Sequence, residues 1–474
     1  MSRIVRFGTD GWRAIVAEDY TFANVRDATQ GTAEYVHEAG QAARGLVVGY
    51  DTRFVSEHFA AAAAEVLAAN GIKVYLASTS VPTPVVSFSI LDRAAGGAIV
   101  ITSSHNPWEW NGFKYKPEYA GSASQEVVDR LEELIEDVQA ARRTKSMPIE
   151  QARRQGLVEE FDPKPAYMAQ VRKLVDVDSM RDAGLKVVAD PIYGAGRGFF
   201  KDILSGGKTT VTEIRGERNP YFGGVHPEPI LPWVQMCCDV VKETRADIGL
   251  CTDGDSDRIG IVDNHGEFVN QLQVMGLLTL YLLEVRGWRG PIVKSVTTTA
   301  MVNRLAQQYG VEVIETAVGF KFIGPEMIKH KAMIGGEESG GFGFANHIPE
   351  RDAIIAGLFV TDLAMKMRKP LSEVIKYLND KAGPSFYHRN DHHFAEDQRQ
   401  VIMKRLEDNP PRELDGVPVA SINRADGFKY NLEDNTWLMI RFSGTEPLLR
   451  IYTETNSPER VTRMLELGKE MAGV

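Results

Sequence analysis

Three aspartates alternate in the segment DGDSDR, just after the apolar stretch IGLC: Asp253, Asp255 and Asp257. Carboxylates this close repel one another unless a cation neutralises them, and hard oxygen ligands favour Mg²⁺ or Ca²⁺. An EF-hand also begins with alternating aspartates, but its sixth position is Arg258 here rather than glycine, and its twelfth is Asn264 rather than glutamate. The segment therefore predicts a different divalent-metal site, and Arg258 suggests a nearby phosphate or carboxylate.

Ser104 lies in the segment TSSHNP, where the short apolar run GAIVI ends. The run predicts a buried strand, and Asn106-Pro107 predicts a turn. Ligands of open α/β sheets gather at the carboxyl ends of strands. A serine placed there can be a nucleophile if a neighbouring group activates it. On its own, however, the segment is more typical of a polar turn.

Two further loops offer groups that suit a phosphorylated sugar. GGEESGG, residues 335–341, has glycines on both sides that let a ligand approach the backbone, and its carboxylates can accept hydrogen bonds from vicinal hydroxyls. RFSGTEP, residues 441–447, combines a guanidinium with hydroxyls and could cradle a phosphate, although it lacks the P-loop pattern. Each loop alone is compatible with an ordinary turn. Together the four loops predict phosphoryl transfer on a phosphosugar, which is catalysed mainly by positioning and charge neutralisation.

One glycine-rich segment is excluded from the candidate site. YGAGRG, residues 193–198, is followed by Phe199 where a dinucleotide-binding fingerprint needs its third glycine. We interpret the segment as a turn.

The composition limits the class of protein. The chain has 474 residues, of which 43% are hydrophobic and 25% charged, as in a globular protein of several domains. A net charge of −10 argues against nucleic acid or an anionic membrane surface as a partner, but not against an anionic substrate. No apolar run approaches the roughly 20 residues that span a bilayer, and the N-terminus lacks the apolar core of a signal peptide. Three cysteines form neither a disulfide framework nor a zinc pattern, so we expect a cytoplasmic protein.

Strand and helix patterns alternate along most of the chain, which predicts mostly parallel sheets. We predict α/β domains over residues 1–150, 151–264 and 265–380, and an α+β domain over 381–474. In this order they carry TSSHNP (the serine loop), DGDSDR (the metal loop), GGEESGG (the sugar loop) and RFSGTEP (the phosphate loop). Apolar residues at helical spacing predict a helix over 127–141. Ser122 and Gln125 could form a capping box before it.

The four loops, in this order, resemble the signature loops of the α-D-phosphohexomutase superfamily, which includes phosphoglucomutase, phosphomannomutase and phosphoglucosamine mutase. The opening FGTDGWR resembles the family's N-terminal segment, and the likeness extends over nearly the whole chain. It implies an α/β fold with three similar α/β domains and a C-terminal α+β domain around a central cleft, in agreement with the predicted organisation.

The resemblance also implies a reaction. Ser104 matches the phosphoserine, which gives its phosphoryl group to a hexose monophosphate and recovers the other phosphate from a hexose 1,6-bisphosphate, the activator. Mg²⁺ would bind to Ser104 and the three aspartates. Arg13 and Arg258 match arginines near the phosphoserine, and His105 would orient the loop. Lys114 matches a lysine for proton transfer, and we expect a lowered pKa from Mg²⁺ and the arginines, so that it serves as the base.

The expected substrate-binding residues, in which Lys294 and Lys321 are further contacts, are Lys294, Gly319, Lys321, Glu337, Ser339, Arg441, Ser443, Gly444 and Thr445. Within this set, Glu337 and Ser339 match residues that contact sugar hydroxyls. The residues from Arg441 onward match a clamp that holds the non-reacting phosphate in both sugar orientations. The segment ETAVGFKF resembles one that helps to separate sugars in glucose-type enzymes.

The second glutamate of GEESGG resembles glucose-specific enzymes, since dual-specific members resemble GEMSGH and glucosamine members GEQSGH. We therefore expect an intramolecular phosphotransferase acting on glucose phosphate. The alternatives are a phosphomannomutase, a phosphoglucosamine mutase or a catalytically silent sugar-phosphate-binding homologue. The expected partner is the phosphosugar alone, without nucleic acid or membrane, and the expected state is a monomer or homodimer.

Overall fold

The computed structural model describes residues 5–443 and 448–474. Its first sheet has the strand order β1-β5-β4-β2-β3-β6. Its strands are β1 Trp12–Ile15, β2 Leu46–Tyr50, β3 Val74–Ala77, β4 Gly97–Ile101, β5 Trp110–Pro117 and β6 Val158–Phe161. The accompanying helices are α1 Phe22–Glu38, α2 Ser56–Ala69, α3 Thr83–Asp92, α4 Gln125–Ala141 and α5 Ile149–Arg154. We call each sheet with its helices a unit, and these elements form the first unit. Strands β2, β3, β4 and β6 run parallel, whereas β5 is antiparallel to β4 and β1.

The capping box predicted before α4 is wrong. The N-cap is Ser124, whose side chain accepts a hydrogen bond from the N–H of Val127. Ser122 instead donates its hydroxyl to Glu350 at 2.6 Å, because this buried carboxylate lies against the start of the helix.

The second and third sheets have the orders β11-β10-β9-β7-β8 and β13-β12-β14-β15. The second unit contains α6 Lys164–Leu174, α7 Val177–Asp182, β7 Lys186–Asp190, α8 Phe199–Leu204, β8 Thr210–Glu213, α9 Gln235–Thr244, β9 Ile248–Thr252, β10 Ile259–Val262 and β11 Phe268–Val269. The third contains α10 Gln271–Leu280, β12 Ile292–Ser295, α11 Met301–Tyr309, β13 Val313–Thr316, α12 Phe320–His330, β14 Ile334–Gly336, β15 Phe342–Phe344, α13 Ala353–Met367 and α14 Leu371–Ala382. Strand β7 is parallel to β8 and β9, and β12 is parallel to β13 and β14.

The last sheet is antiparallel between its neighbouring strands, in the order β16-β21-β20-β19-β18-β17. Its elements are β16 Phe386–His393, α15 Arg399–Asp408, β17 Glu413–Leu414, β18 Val417–Asn423, β19 Phe428–Leu432, β20 Trp437–Phe442, β21 Leu448–Thr455 and α16 Pro458–Ala472. This change from parallel to antiparallel pairing confirms the predicted fold class, three α/β units followed by an α+β unit.

The hydrophobic core shows which units are packed together. One cluster runs from Val86 of the first unit through Phe200 of the second to Phe359 of the third. The fourth unit has its own core around Ile440. A small cluster joins it to the third unit: Leu272, Val296, Trp437, Met439 and Tyr452.

The predicted functional loops follow central strands. The serine, metal and sugar loops leave the carboxyl ends of β4, β9 and β14, and each of these strands is fully buried. Strands covered on both faces read as continuous apolar runs, which is why these segments were recognisable in the sequence. No helix in the described part of the chain has the length and apolar character needed to span a membrane.

Candidate active site

Ser104 contacts the metal loop directly. Its side chain is fully buried, and its Oγ donates a hydrogen bond to Oδ2 of Asp253 at 2.8 Å. The Oγ also lies 3.4 Å from Nδ1 of His105. The residue has φ +52°, a left-handed conformation that is uncommon for a residue with a Cβ atom. The fold therefore holds this serine in a strained backbone conformation beside a carboxylate.

The three aspartates of the metal loop form a compact buried cluster. Each offers a carboxylate oxygen, and these atoms lie within 4.8 Å of one another. Oδ1 of Asp255 and Oδ1 of Asp257 are buried and have no hydrogen-bond partner among the described residues. Burial and the charges of Asp257 and Asp255 raise the pKa of Asp253. Closely spaced carboxylates with free buried oxygens fit a divalent cation with oxygen ligands.

A hydroxyl from the first unit supports the metal loop. Thr83, at the start of α3, donates its Oγ1–H to Oδ2 of Asp255 at 2.5 Å and its N–H to the carbonyl of the same residue at 2.9 Å. Asp253 is fixed through Oδ1 by the N–H groups of Asp257 and Arg258, at 2.9 and 3.1 Å. These contacts orient the carboxylates before any ligand binds.

Lys114 lies among acidic groups, which raise its pKa in the metal-free protein, whereas the predicted lowering was for a site that holds Mg²⁺. Its Nζ is 2.8 Å from Asp10, 2.8 Å from Asp255 and 3.0 Å from Asp257. Burial alone lowers the pKa of this ammonium, but the three carboxylates outweigh burial and raise the pKa above its ordinary value. The prediction counted Mg²⁺ and the arginines but did not include Asp10, and the role of Lys114 as a base stays a prediction.

The other predicted groups around Ser104 make a cationic environment. Arg13 donates from Nη1 to Oδ1 of Asn106 at 2.7 Å. Arg258 is 3.9 Å from the nearest oxygens of Asp257 and Glu228. Burial, followed by the charges of Arg258 and Arg13, holds the pKa of His105 well below its usual value. A neutral imidazole and two nearby guanidinium groups can accommodate an anion beside the serine.

A buried charge network that was not predicted from the sequence joins the first three units. The guanidinium of Arg351 forms an ion pair with the carboxylate of Asp10, lies 3.0 Å from that of Asp257 and lies 3.7 Å from that of Glu337. Lys116 is 2.6 Å from Glu350 and 3.0 Å from Asp10. Charged residues placed directly before the apolar helix α13, in the segment PERDAII, were the available signal.

The two glutamates of the sugar loop contact different parts of the protein. Glu337 is 6% exposed and lies towards Arg351; burial, opposed by the charges of Arg351 and Arg258, raises its pKa to about 7. Ser339 has a buried Oγ without a partner among the described residues. Glu338 accepts hydrogen bonds from Tyr387 at 3.2 Å and Arg389 at 3.4 Å, both on β16. Glu338 therefore connects the sugar loop to the fourth unit.

The two lysines that were predicted to contact the substrate form hydrogen bonds and ion pairs within the protein. Lys294 has a side chain that is 1% exposed, and its Nζ lies 3.1 Å from Glu315, which is also 3.3 Å from Lys429. It donates to the carbonyls of Thr298 and Thr299 as well. Lys321 donates to Gln125 of the first unit at 2.7 Å, and Gly319 precedes α12 with φ +131°. Their role in substrate binding stays a prediction.

The phosphate loop is described up to Ser443. Arg441, at the end of β20, is 9% exposed and donates from Nε to Asp426 at 2.8 Å. Asp426 also accepts the N–H of Val318 at 2.9 Å, so one carboxylate joins this arginine to the segment before α12. Ser443 is buried. Gly444 and Thr445 lie outside the described residues.

Comparison with known proteins gives a consistent result along the chain. Models described as phosphoglucomutase/phosphomannomutase alpha/beta/alpha domains I, II and III match residues 5–142, 165–266 and 270–381, and the model of the C-terminal domain matches 400–467. A phosphoglucomutase/phosphomannomutase from Thermococcus kodakarensis is 29% identical, over 98% of this chain and 97% of its own. A phosphoglucosamine mutase from Caldicellulosiruptor bescii is 27% identical, over 97% of both. The solved structure of a Thermus thermophilus protein is 33% identical and superposes with a TM-score of 0.86 over 100% of both chains.

Proposed function

Because the chain belongs to the phosphoglucomutase/phosphomannomutase family, we propose that it interconverts hexose 1-phosphate and hexose 6-phosphate, with glucose as the preferred sugar. The observation that carries the proposal is the contact of Ser104 with Asp253, in a cluster whose buried carboxylate oxygens lack partners among the described residues. As the substrate hydroxyl bonds to phosphorus, the bond from phosphorus to Oγ of Ser104 would break and the hydroxyl proton would end on the serine; the reverse transfer from the other end of the bisphosphate would restore the phosphoserine.

Charge neutralisation is the main task of the residues around the serine. Asp253, Asp255 and Asp257, with the phosphorylated Ser104, would hold Mg²⁺, which when bound withdraws negative charge from the transferring group. Arg13 and Arg258 bind the phosphoryl oxygens on the same side. Lys114, whose Nζ lies within 3.0 Å of Asp10, Asp255 and Asp257, would contribute to the charge balance of the same region.

The sugar and its second phosphate are bound by the other two loops. Glu337 accepts hydrogen bonds from sugar hydroxyls, and the Ser339 hydroxyl, which has no partner within the described part of the chain, donates one to the sugar. Arg441 exchanges its contact with Asp426 for the non-reacting phosphate, and Ser443 assists, together with Gly444 and Thr445. Since the clamp holds whichever phosphate is not reacting, it serves both half-reactions.

Hexose 1,6-bisphosphate would activate the enzyme by phosphorylating Ser104 when that group has been lost. The proposal places the enzyme in the cytoplasm, where its three buried free cysteines would remain reduced.

The preferred sugar is decided by a direct assay. Glucose, mannose, glucosamine and N-acetylglucosamine 1-phosphates are each incubated with the protein, Mg²⁺ and the matching 1,6-bisphosphate, and the 6-phosphate formed is measured. The glucose proposal requires the highest kcat/KM for glucose 1-phosphate. A higher value for mannose or glucosamine would establish the corresponding alternative, which the names of the relatives also permit. No 6-phosphate from any sugar would refute the mutase itself.

A further inference from the structure

We infer that Arg53 is a positioning residue that holds the Ser104 loop in the conformation required for phosphoryl transfer. The kinetic part of this inference rests on the proposed function. Arg53 lies in the turn between β2 and α2, about fifty residues before the loop in the sequence. No family motif in the sequence analysis included it.

Both terminal nitrogens of the Arg53 guanidinium bond to the segment 104–110. Its side chain is 0% exposed. Nη2 donates to the carbonyl of Ser104 at 2.6 Å and to that of Asn106 at 2.8 Å. Nη1 donates to the carbonyls of Pro107 and Trp110 at 2.8 and 3.0 Å. Each terminal nitrogen thus bonds two carbonyls of the segment that carries the nucleophile.

Arg53 is itself rigidly held. Its Nε and its backbone N–H both donate to the buried Asp51 at 3.0 Å. Asp51 also accepts the hydroxyl of Thr102 at 2.6 Å, and this hydroxyl oxygen in turn accepts the N–H of Ser104 at 3.0 Å. The backbone of Ser104 is therefore fixed on both sides, its N–H through Thr102 and its carbonyl through Arg53.

A residue from the second unit covers the guanidinium. The ring centroid of Phe222 lies 4.9 Å from Cζ of Arg53, within the range of a cation–π contact. The carbonyl of Ser104 is also close to the metal loop, because a Cβ atom added at Gly254 would lie 2.5 Å from it. Arg53 thus connects the serine loop with the unit that carries the aspartates.

These contacts compensate for the unfavourable backbone of Ser104. A non-glycine residue at φ +52° persists only where its surroundings determine it. The peptide plane after Ser104 is set by the bond to Arg53, which fixes the backbone from which the side chain reaches Asp253. A lysine has one nitrogen on a flexible stem and cannot reproduce a planar fork that serves four carbonyls.

The test compares Arg53→Lys with a matched control, Arg286→Lys. Arg286 also donates to a backbone carbonyl, that of Leu174 at 2.6 Å, and lies over aromatic rings, but it contributes nothing to the site. Misplacement of a reacting group by about 1 Å can cost about a hundredfold in rate. We expect Arg53→Lys to lower kcat by about that factor while the KM for glucose 1-phosphate stays within about threefold. Arg286→Lys should keep both constants near the native values.

Hydrogen exchange gives a readout that does not depend on turnover. Amides of the segment 102–110 should exchange at least about tenfold faster in Arg53→Lys than in the native protein and in the control. Native kcat with native exchange would overturn the inference, as would equal losses of kcat in both variants. If the native protein converts no hexose phosphate, the proposed function fails, while unchanged exchange in Arg53→Lys would separately refute the loop-holding role.

A milder variant covers the case in which Arg53→Lys does not fold. Phe222→Leu keeps an apolar side chain and removes only the ring over the guanidinium. We expect it to lower kcat about threefold or more without changing KM, in line with the loss of a cation–π contact. An unchanged kcat in this variant would overturn the inference.

Discussion

We expect the buried carboxyl of Glu337 to make sugar binding dependent on pH. Burial raises its pKa from the ordinary 4.5 to about 7, against the opposing charges of Arg351 and Arg258. In the proposed function this carboxylate accepts hydrogen bonds from two sugar hydroxyls, and it can do so fully only when it is ionised. The apparent affinity for the hexose phosphate should therefore fall as the pH falls through 7.

The size of the effect follows from the ionised fraction. With a pKa of about 7, Glu337 is about 9% ionised at pH 6 and about 91% ionised at pH 8. Because apparent affinity scales with the competent fraction, binding should be about tenfold weaker at pH 6 than at pH 8. Glu337→Gln cannot titrate, so its affinity should be lower at pH 8 and should lack this component of the pH dependence.

The assay is calorimetric titration with glucose 1-phosphate at pH 6 and 8, without divalent cation, so that no turnover occurs. The second ionisation of the substrate's phosphate, near pH 6, affects native protein and variant alike and cancels in the comparison. Equal pH dependence in native protein and Glu337→Gln would refute the reasoning.

Stability provides a second measurement of the same titration. The folded pKa of Glu337 is raised, so the folded state binds more protons than the unfolded state between pH 4.5 and about 7. The contribution of protonated Glu337 to the free energy of unfolding is therefore complete below pH 4.5 and is lost as the pH rises through 7. The shift corresponds to about 3 kcal/mol. Relative to Glu337→Gln, the free energy of unfolding of the native protein should decrease by that order across this range. A constant difference between the two proteins would contradict the raised pKa.

Three further predictions concern the remaining loops. Ser104→Ala should remove the single phosphoryl group that intact-mass spectrometry detects after exposure to glucose 1,6-bisphosphate, and near-native turnover by this variant would rule out the phosphoserine. Asp257→Asn should lower kcat by about a hundredfold or more, because the transferring group loses charge neutralisation; full native activity in excess chelator would contradict a metal at this loop. Arg441→Ala should weaken binding of glucose 1-phosphate and 6-phosphate alike by about ten- to a hundredfold, the equivalent of one charge-assisted contact of roughly 1.5–3 kcal/mol. A loss for only one of them in calorimetry would show that the clamp serves a single orientation.

The amino-acid sequence was sufficient to identify the fold class and the family. The buried strands β4, β9 and β14 are continuous apolar segments, and the polar groups that follow them are adjacent in the chain. Features of this kind depend on neighbouring residues, so they can be recognised without knowledge of the folded structure. The comparisons confirm the family, whereas the roles assigned to the individual site residues stay predictions.

The contacts of Lys114 and Glu338 could be found only in the tertiary structure. The pKa of Lys114 depends on Asp10, which is distant in the sequence but 2.8 Å away in space. Glu338 resembles the second glutamate of glucose-specific enzymes, and the structure shows that its hydrogen bonds go to β16 of the fourth unit.

Arg53 and Arg351 show the same division between sequence and tertiary structure. The importance of each lies in bonds to segments from other parts of the chain. Charge interactions and desolvation depend on distance and burial. A linear sequence specifies which groups are present, but packing of the units decides which of them meet.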